Sequence, residues 1–151
     1  MAAAEETGPN NGAIHRILLV EDNPGDRRLA AEMFVESGAG LELHVVSDGG
    51  EAISFLRREG RYSGAPAPDL ILLDLNLPGR DGIEVLAEIR ASDQWSGIPV
   101  IVLTSSRNED DRSRSRALRA DGFWNKPFDI DGYIGMARVL ERFCRSWRLS
   151  A

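Results

Sequence analysis

Short apolar runs of strand length alternate with helix-length segments along most of this chain, and that alternation constrains the fold more than any other feature. Arg16–Glu21 is a β-branched and leucine run that stops at the turn signal Asp22-Asn23-Pro24-Gly25. Leu41–Ser47 alternates, with Leu41, Leu43 and Val45 on one side. Leu70–Leu73, introduced by Pro66-Ala67-Pro68-Asp69, and Pro99–Leu103 are continuously apolar, which is how a strand covered on both faces reads. Gly122–Asn125 is a fifth, shorter strand. Between and after these runs the spacing predicts helices from Pro24 to about Gly38, Asp48 to about Glu59, Asp81 to about Ser92, Asn108 to about Ala120, and Asp129 to Trp147. Proline suits the first turn of the first helix, and Gly38 and Gly60 stop the first two.

Strict alternation of strands and helices requires a parallel sheet, because each crossover lays a helix on one face or the other. The expected architecture is α/β: a flavodoxin-like, doubly wound (βα)5 fold with a five-stranded parallel sheet over residues 14–151. Residues 1–13 are small, polar and rich in Gly, Pro and Asn, the composition of a disordered tail.

Composition narrows the function by exclusion. At 151 residues the chain suits one domain, and a formal charge of −6 argues against binding a nucleic-acid backbone. The single Cys144 has no partner for an internal disulfide. Neither a secretion signal nor a membrane-length apolar run is present, so a cytoplasmic protein with no membrane association is expected. Of the 18 basic residues, 17 are Arg, and the one exception is Lys126.

In open parallel sheets, sites form beyond the carboxyl ends of the strands. The first strand runs into Glu21-Asp22, the third into Asp74, the fourth into Thr104-Ser105 and the fifth into Lys126-Pro127. Three carboxylates, a hydroxyl and an ammonium thus meet on one rim. Carboxylates so placed repel one another unless a cation joins them, and hard oxygen donors suit Mg2+. Asp22 and Asp74 are the expected ligands, with Glu21 acting through water. Asp74 is then a nucleophile able to form an acyl phosphate, and Thr104 and Lys126 are placed to contact the transferred oxygens. Lysine presents a compact charge where arginine presents a wide fork, a plausible reason why a chain that otherwise uses Arg has Lys here.

With these residues placed, the chain resembles the receiver domain of two-component response regulators. The resemblance runs from about Arg16 to Trp147 and rests on ILLVEDN (17–23), PDLILLDLNLPGRDG (68–82), IPVIVLTSS (98–106) and NKPFD (125–129). It implies phosphorylation of Asp74 by a sensor histidine kinase and magnesium held by Glu21, Asp22, Asp74 and the backbone carbonyl of Asn76. It also implies that Thr104 and Lys126 sense the phosphate, and that Lys126-Pro127 is a cis peptide. The family's switch couples Thr104 to an aromatic residue at 123; here Phe123 lacks the commoner tyrosine hydroxyl, and Trp124 is an alternative participant. The chain further departs from the family at Arg119-Ala120-Asp121-Gly122, and Arg112, Arg114 and Arg116 make the fourth helix cationic. That face is either solvated or a partner-docking surface.

The single-domain regulators paired with bacterial phytochromes and similar sensor kinases, phytochrome-type or hybrid, are nearest in appearance. A histidine phosphotransfer protein is a further candidate partner. No DNA-binding output domain is expected after residue 151. The expected role is a phosphate-operated switch of protein–protein contacts that promotes only its own phosphorylation and dephosphorylation. The last helix carries Tyr133, Leu140, Phe143 and Trp147, more than one packing face uses, and a homodimer contact is the expected use of the excess.

Two other functions compete. An aspartyl phosphatase usually has a second Asp two residues after its nucleophile as general acid, but Asn76 stands there, which argues against rapid turnover. A phosphate-independent interaction module would lack a phosphorylation residue, and none is missing.

Overall fold

The computed structural model describes residues 14–77, 79, 81–105 and 109–150, with side chains through Trp147. The expected tail (1–13), Pro78, Arg80 and residues 106–108, where the fourth helix is expected to begin, lie outside them. One sheet contains the parallel strands β1 (His15–Val20), β2 (Leu41–Val46), β3 (Leu70–Asp74), β4 (Val100–Thr104) and β5 (Gly122–Asn125), in the order β2-β1-β3-β4-β5. The helices are α1 (Pro24–Glu36), α2 (Gly49–Arg57), α3 (Gly82–Ala91), α4 (Glu109–Ala117) and α5 (Ile130–Ser150). This is the expected flavodoxin-like arrangement. A single 3-10 turn over Gly60–Tyr62, which the apolar pattern does not announce, follows α2.

Side chains on a strand point alternately to opposite faces, and here that parity sorts two cores. Leu18, Val20, Ile71, Leu73, Val100 and Val102 face Ala52, Ile53 and Leu56 of α2 and Ile83, Leu86 and Ile89 of α3. Ile17, Leu19, Leu70, Leu72, Ile101 and Leu103 face Ala30 and Phe34 of α1 and Tyr133, Ala137 and Leu140 of α5. The central runs are apolar at every position because helices cover both sides of the sheet. The starts of α1, α2 and α3 satisfy unpaired first-turn N–H groups from a side chain. Asn23 accepts from Asp26 N–H at 2.9 Å, Asp48 accepts from Glu51 N–H at 2.8 Å, and Asp81 forms a capping box with Glu84.

The unusual 119–122 segment has a packing role. Asp121 Oδ2 accepts from the Val100 N–H and from the Arg90 guanidinium, both at 2.8 Å. Arg90, with its side chain only 7% exposed, also donates to the carbonyls of Ser96, Ile98 and Arg119. This brace ties α3 to the start of β4 and to the turn before β5. In α5, Tyr133 and Leu140 enter the core and Phe143 packs against it, stacking on Trp147 with ring centroids 5.9 Å apart. Only part of the expected aromatic excess is therefore exposed, namely Trp147.

No described peptide bond is cis, so the cis Lys126-Pro127 bond implied by the resemblance is not found. The trans preference before proline is only about 0.5–1 kcal/mol, which leaves the isomer to local contacts.

Leu72 is fully buried between α1 and α5. Leu72→Ala is expected to cost about 2–5 kcal/mol by chemical denaturation, because the surrounding sheet cannot collapse into the cavity. Val35→Ala, at an exposed position of α1, is expected to stay within about 0.5 kcal/mol of the parent.

Candidate functional site

Strand parity carries past the ends of the strands and decides which polar groups meet. Glu21 follows the face of Ile17 and Leu19, Asp74 that of Leu70 and Leu72, and Lys126 that of Trp124. All three point to the α1/α5 side. There the Lys126 ammonium lies 2.9 Å from Glu21 Oε1, 3.1 Å from Asp74 Oδ2 and 3.0 Å from Asp26 Oδ2. Glu21 and Asp74 are 1% and 2% exposed, so the pairs sit in a low-dielectric rim where a charge needs a partner.

Asp22 is exposed at the mouth, and its backbone carbonyl accepts from Arg27 at 2.8 Å. The second oxygen of Glu21 accepts from the Asn23 N–H at 3.1 Å. Asn76 N–H donates to Asp74 Oδ1 at 3.0 Å, which fixes the carboxylate's rotation. Gly82 also shapes the site: a Cβ there would lie 2.5 Å from the Asp74 carbonyl oxygen and 2.6 Å from Leu75 Cα. Only glycine lets α3 begin against the loop that leaves β3.

Thr104, fully buried at the end of β4, takes the other parity, that of Val102 and of the α3-side core. Phe123 is in register with Val102 and packs on that same side, whereas Trp124 packs on the α1/α5 side. Phe123, not Trp124, is therefore the aromatic that shares a face with Thr104. The Arg112 guanidinium lies 4.6 Å above its ring, within cation–π distance. The α4 arginines are thus partly engaged, Arg112 on Phe123 and Arg114 with Asp81 at 3.8 Å.

Burial pushes the Glu21 carboxyl up to about 7, and the Asp74 charge adds to it while Lys126 opposes both. Burial works against the Lys126 charge, but acceptors Glu21 and Asp26 and the charge of Asp74 outweigh it and hold the ammonium well above its usual range. The buried Tyr133 phenol is pushed up to about 12, by burial first and then by Asp26.

One oxygen from each of Glu21, Asp22 and Asp74 lies within 4.8 Å of the others. Three carboxylate donors converging on one point fit a hard divalent cation, whose remaining positions water would fill. Asp26 is the residue the sequence pattern did not single out. Its place beside Lys126 depends on α1 covering the face to which Glu21, Asp74 and Lys126 point, which the packing decides.

A parallel sheet of this order, carrying an acidic trio and a lysine on its carboxyl rim, defines a receiver domain of two-component signalling. The family model for the response regulator receiver domain matches residues 17–138, and the chain belongs to that family. Response regulator Rcp1 of Synechocystis sp. is 44% identical over 127 residues, which span 84% of this chain and 86% of that protein. The Mn2+-bound form of Rcp1 superposes with a TM-score of 0.76 at 43% identity, covering 85% of this chain and 93% of that one. The phosphorylated cyanobacterial phytochrome response regulator RcpA gives 0.78 at 44% identity, covering 87% and 94%. The bacteriophytochrome response regulator RtBRR gives 0.71 at 37%, covering 85% and 77%. The chain is thus a two-component response regulator similar to phytochrome-associated ones.

A carboxyl must lose its proton to bind metal, so a cation held by Glu21 would compete with a proton there. Divalent-cation affinity is expected to be steady at about pH 8 and to fall up to tenfold per unit below about pH 7, as a proton competes for Glu21. Calorimetric titration on both sides of that value reads the step. Glu21→Gln is expected to bind more weakly and to lose the step; equal affinity at both pH values in the parent would remove Glu21 from the donor set.

Proposed function

We propose that Asp74 accepts a phosphoryl group from the phosphohistidine of a partner sensor histidine kinase, with Mg2+ in the acidic trio, and that the modified site switches protein–protein contacts. The observation that carries this reading is the Lys126 ammonium at 3.1 Å from Asp74 Oδ2, beside three carboxylates grouped within 4.8 Å. An Asp74 carboxylate oxygen attacks phosphorus. The O–P bond forms as the P–N bond breaks, and the imidazole nitrogen leaves with the electron pair. Lys126 donates to one phosphoryl oxygen and the Thr104 hydroxyl to another, stabilising charge that grows during transfer. Glu21, Asp22, Asp74 and the Asn76 carbonyl would hold the cation, which would supply neutralisation of the clustered carboxylates and of the transferred group.

An Asn76 amide is no general acid, so the acyl phosphate persists long enough to act as a signal. Thr104 and Phe123, on one face of the sheet, are the route by which the rim reaches α4. RcpA exists as a phosphorylated protein and Rcp1 in a Mn2+-bound form, and both support this chemistry. The phytochrome association of RcpA and RtBRR supports a phytochrome-type kinase as partner. A histidine phosphotransfer protein presents the same phosphohistidine and is the other candidate partner. Incubation with acetyl phosphate and Mg2+ is expected to add one hydroxylamine-labile phosphate per chain, seen by intact mass, and Asp74→Asn is expected to take up none. Label on the Asp74→Asn protein, or steady phosphate release without accumulation in the parent, would sink the reading.

A homodimer through α5 is a second reading, carried by the exposed Val139 and Trp147 and by the adjoining apolar groove of about 520 Å3 lined by Trp124, Phe128, Met136 and Val139. A second copy of α5 has the matching apolar stripe, which an isologous contact requires. Sedimentation is expected to show a concentration-dependent dimer that Trp147→Ala weakens. A monomer at high micromolar concentration, with and without beryllofluoride, would end this reading.

A further inference from the structure

Among the described residues, the rim brings together four carboxylates, Glu21, Asp22, Asp26 and Asp74, and one ammonium. Lysine has three N–H donors and no acceptor. The contact to Asp26 at 3.0 Å is a hydrogen bond, and Glu21 at 2.9 Å and Asp74 at 3.1 Å are ion-pair neighbours of the same ammonium. These acceptors have different fates if Asp74 is the acceptor residue, the reading on which this inference rests. Glu21 and Asp74 belong to the trio that would hold the metal, and Asp74 would also carry the phosphoryl group, so both carboxylates are drawn to other partners. Asp26 stands outside the trio, in the first turn of α1, where its N–H is held by the Asn23 cap at 2.9 Å. It is the one Lys126 acceptor that neither metal nor phosphate consumes. A lysine on a four-carbon stem keeps an orientation only if something holds its head.

We propose that Asp26 is a positioning residue that anchors the Lys126 ammonium through the whole cycle, leaving its other donors free to meet the phosphoryl oxygen that arrives on Asp74. The contact spans 100 positions in sequence and ties the start of α1 to the end of β5. It is part-buried, with the Lys126 side chain 14% exposed and that of Asp26 33%, so water competes only in part.

The test is the rate of phosphorylation by acetyl phosphate at saturating Mg2+, with Mg2+ affinity measured separately. Asp26→Asn is expected to slow phosphorylation about three- to tenfold while changing Mg2+ affinity less than about threefold, and Asp26→Glu to recover most of the rate. In a Lys126→Ala background, Asp26→Asn is expected to make no further difference, because the anchored group is gone. Thermal melts of all variants show which remain folded. A parent-like rate for Asp26→Asn, or an equal slowing in the Lys126→Ala background, overturns the anchor role while leaving Asp74 as acceptor. A wild-type chain that takes up no phosphate overturns the acceptor reading and the anchor role with it.

Discussion

The Lys126 ammonium is the charge around which this rim is organised. Glu21 and Asp74 are almost wholly removed from water, and two carboxylates brought together in that setting destabilise one another unless a cation lies between them. Lys126 meets both, and Asp26 as well, at 2.9–3.1 Å. This covalently attached cation therefore offsets part of the repulsion in the acidic rim. It does not complete the balance, because Glu21 remains close to neutral pH in its proton affinity and Asp22 adds a further charge at the mouth. The residual negative charge is what a divalent cation would answer, so one imbalance accounts for both the lysine and the metal site.

The sheet produces that balance by parity. A residue one step past a buried strand keeps the strand's alternation, so Glu21, Asp74 and Lys126 fall on the α1/α5 side while Thr104 falls with Phe123 on the other. The rim is thereby split between two faces of the sheet. The side that holds the acceptor candidate and the lysine carries the charge, and the side that holds Thr104 leads through Phe123 to Arg112 on α4. Replacing the commoner tyrosine by Phe123 removes a hydroxyl, and the contact found at this position is a guanidinium over the ring face, which needs none.

Much of this was legible in the residues. The apolar runs placed all five strands to within about a residue, because a strand covered on both sides has no tolerance for polar side chains. Helix ends drifted more: the first helix ends at Glu36, not at Gly38, and the second at Arg57, not at about Glu59. Helix termini fray and their last residues depend on local hydrogen bonds that composition does not encode. The acidic pair, Asp74, Thr104 and Lys126 were identifiable because each follows a strand, and strand ends of a parallel sheet share a rim. Asp26 was not, because an acidic residue in a first helical turn is already explained by the helix dipole and draws no notice. Asp121 was seen only as a departure from the family pattern, since its partners Arg90 and Val100 are distant in sequence.

The sequence by itself determined the alternation of strands and helices, the parallel sheet, the residue types on the carboxyl rim, and membership of the response-regulator family. These follow from local apolar patterns and from motifs contained within short stretches of chain. Only the tertiary structure decided which of those rim residues meet. Lys126 reaches Asp26 across 100 positions, Arg90 closes on Asp121, and Phe123, not Trp124, shares a face with Thr104. Such choices depend on strand register and on which helix covers which face, quantities set by the packing of the whole sheet and not by any one segment.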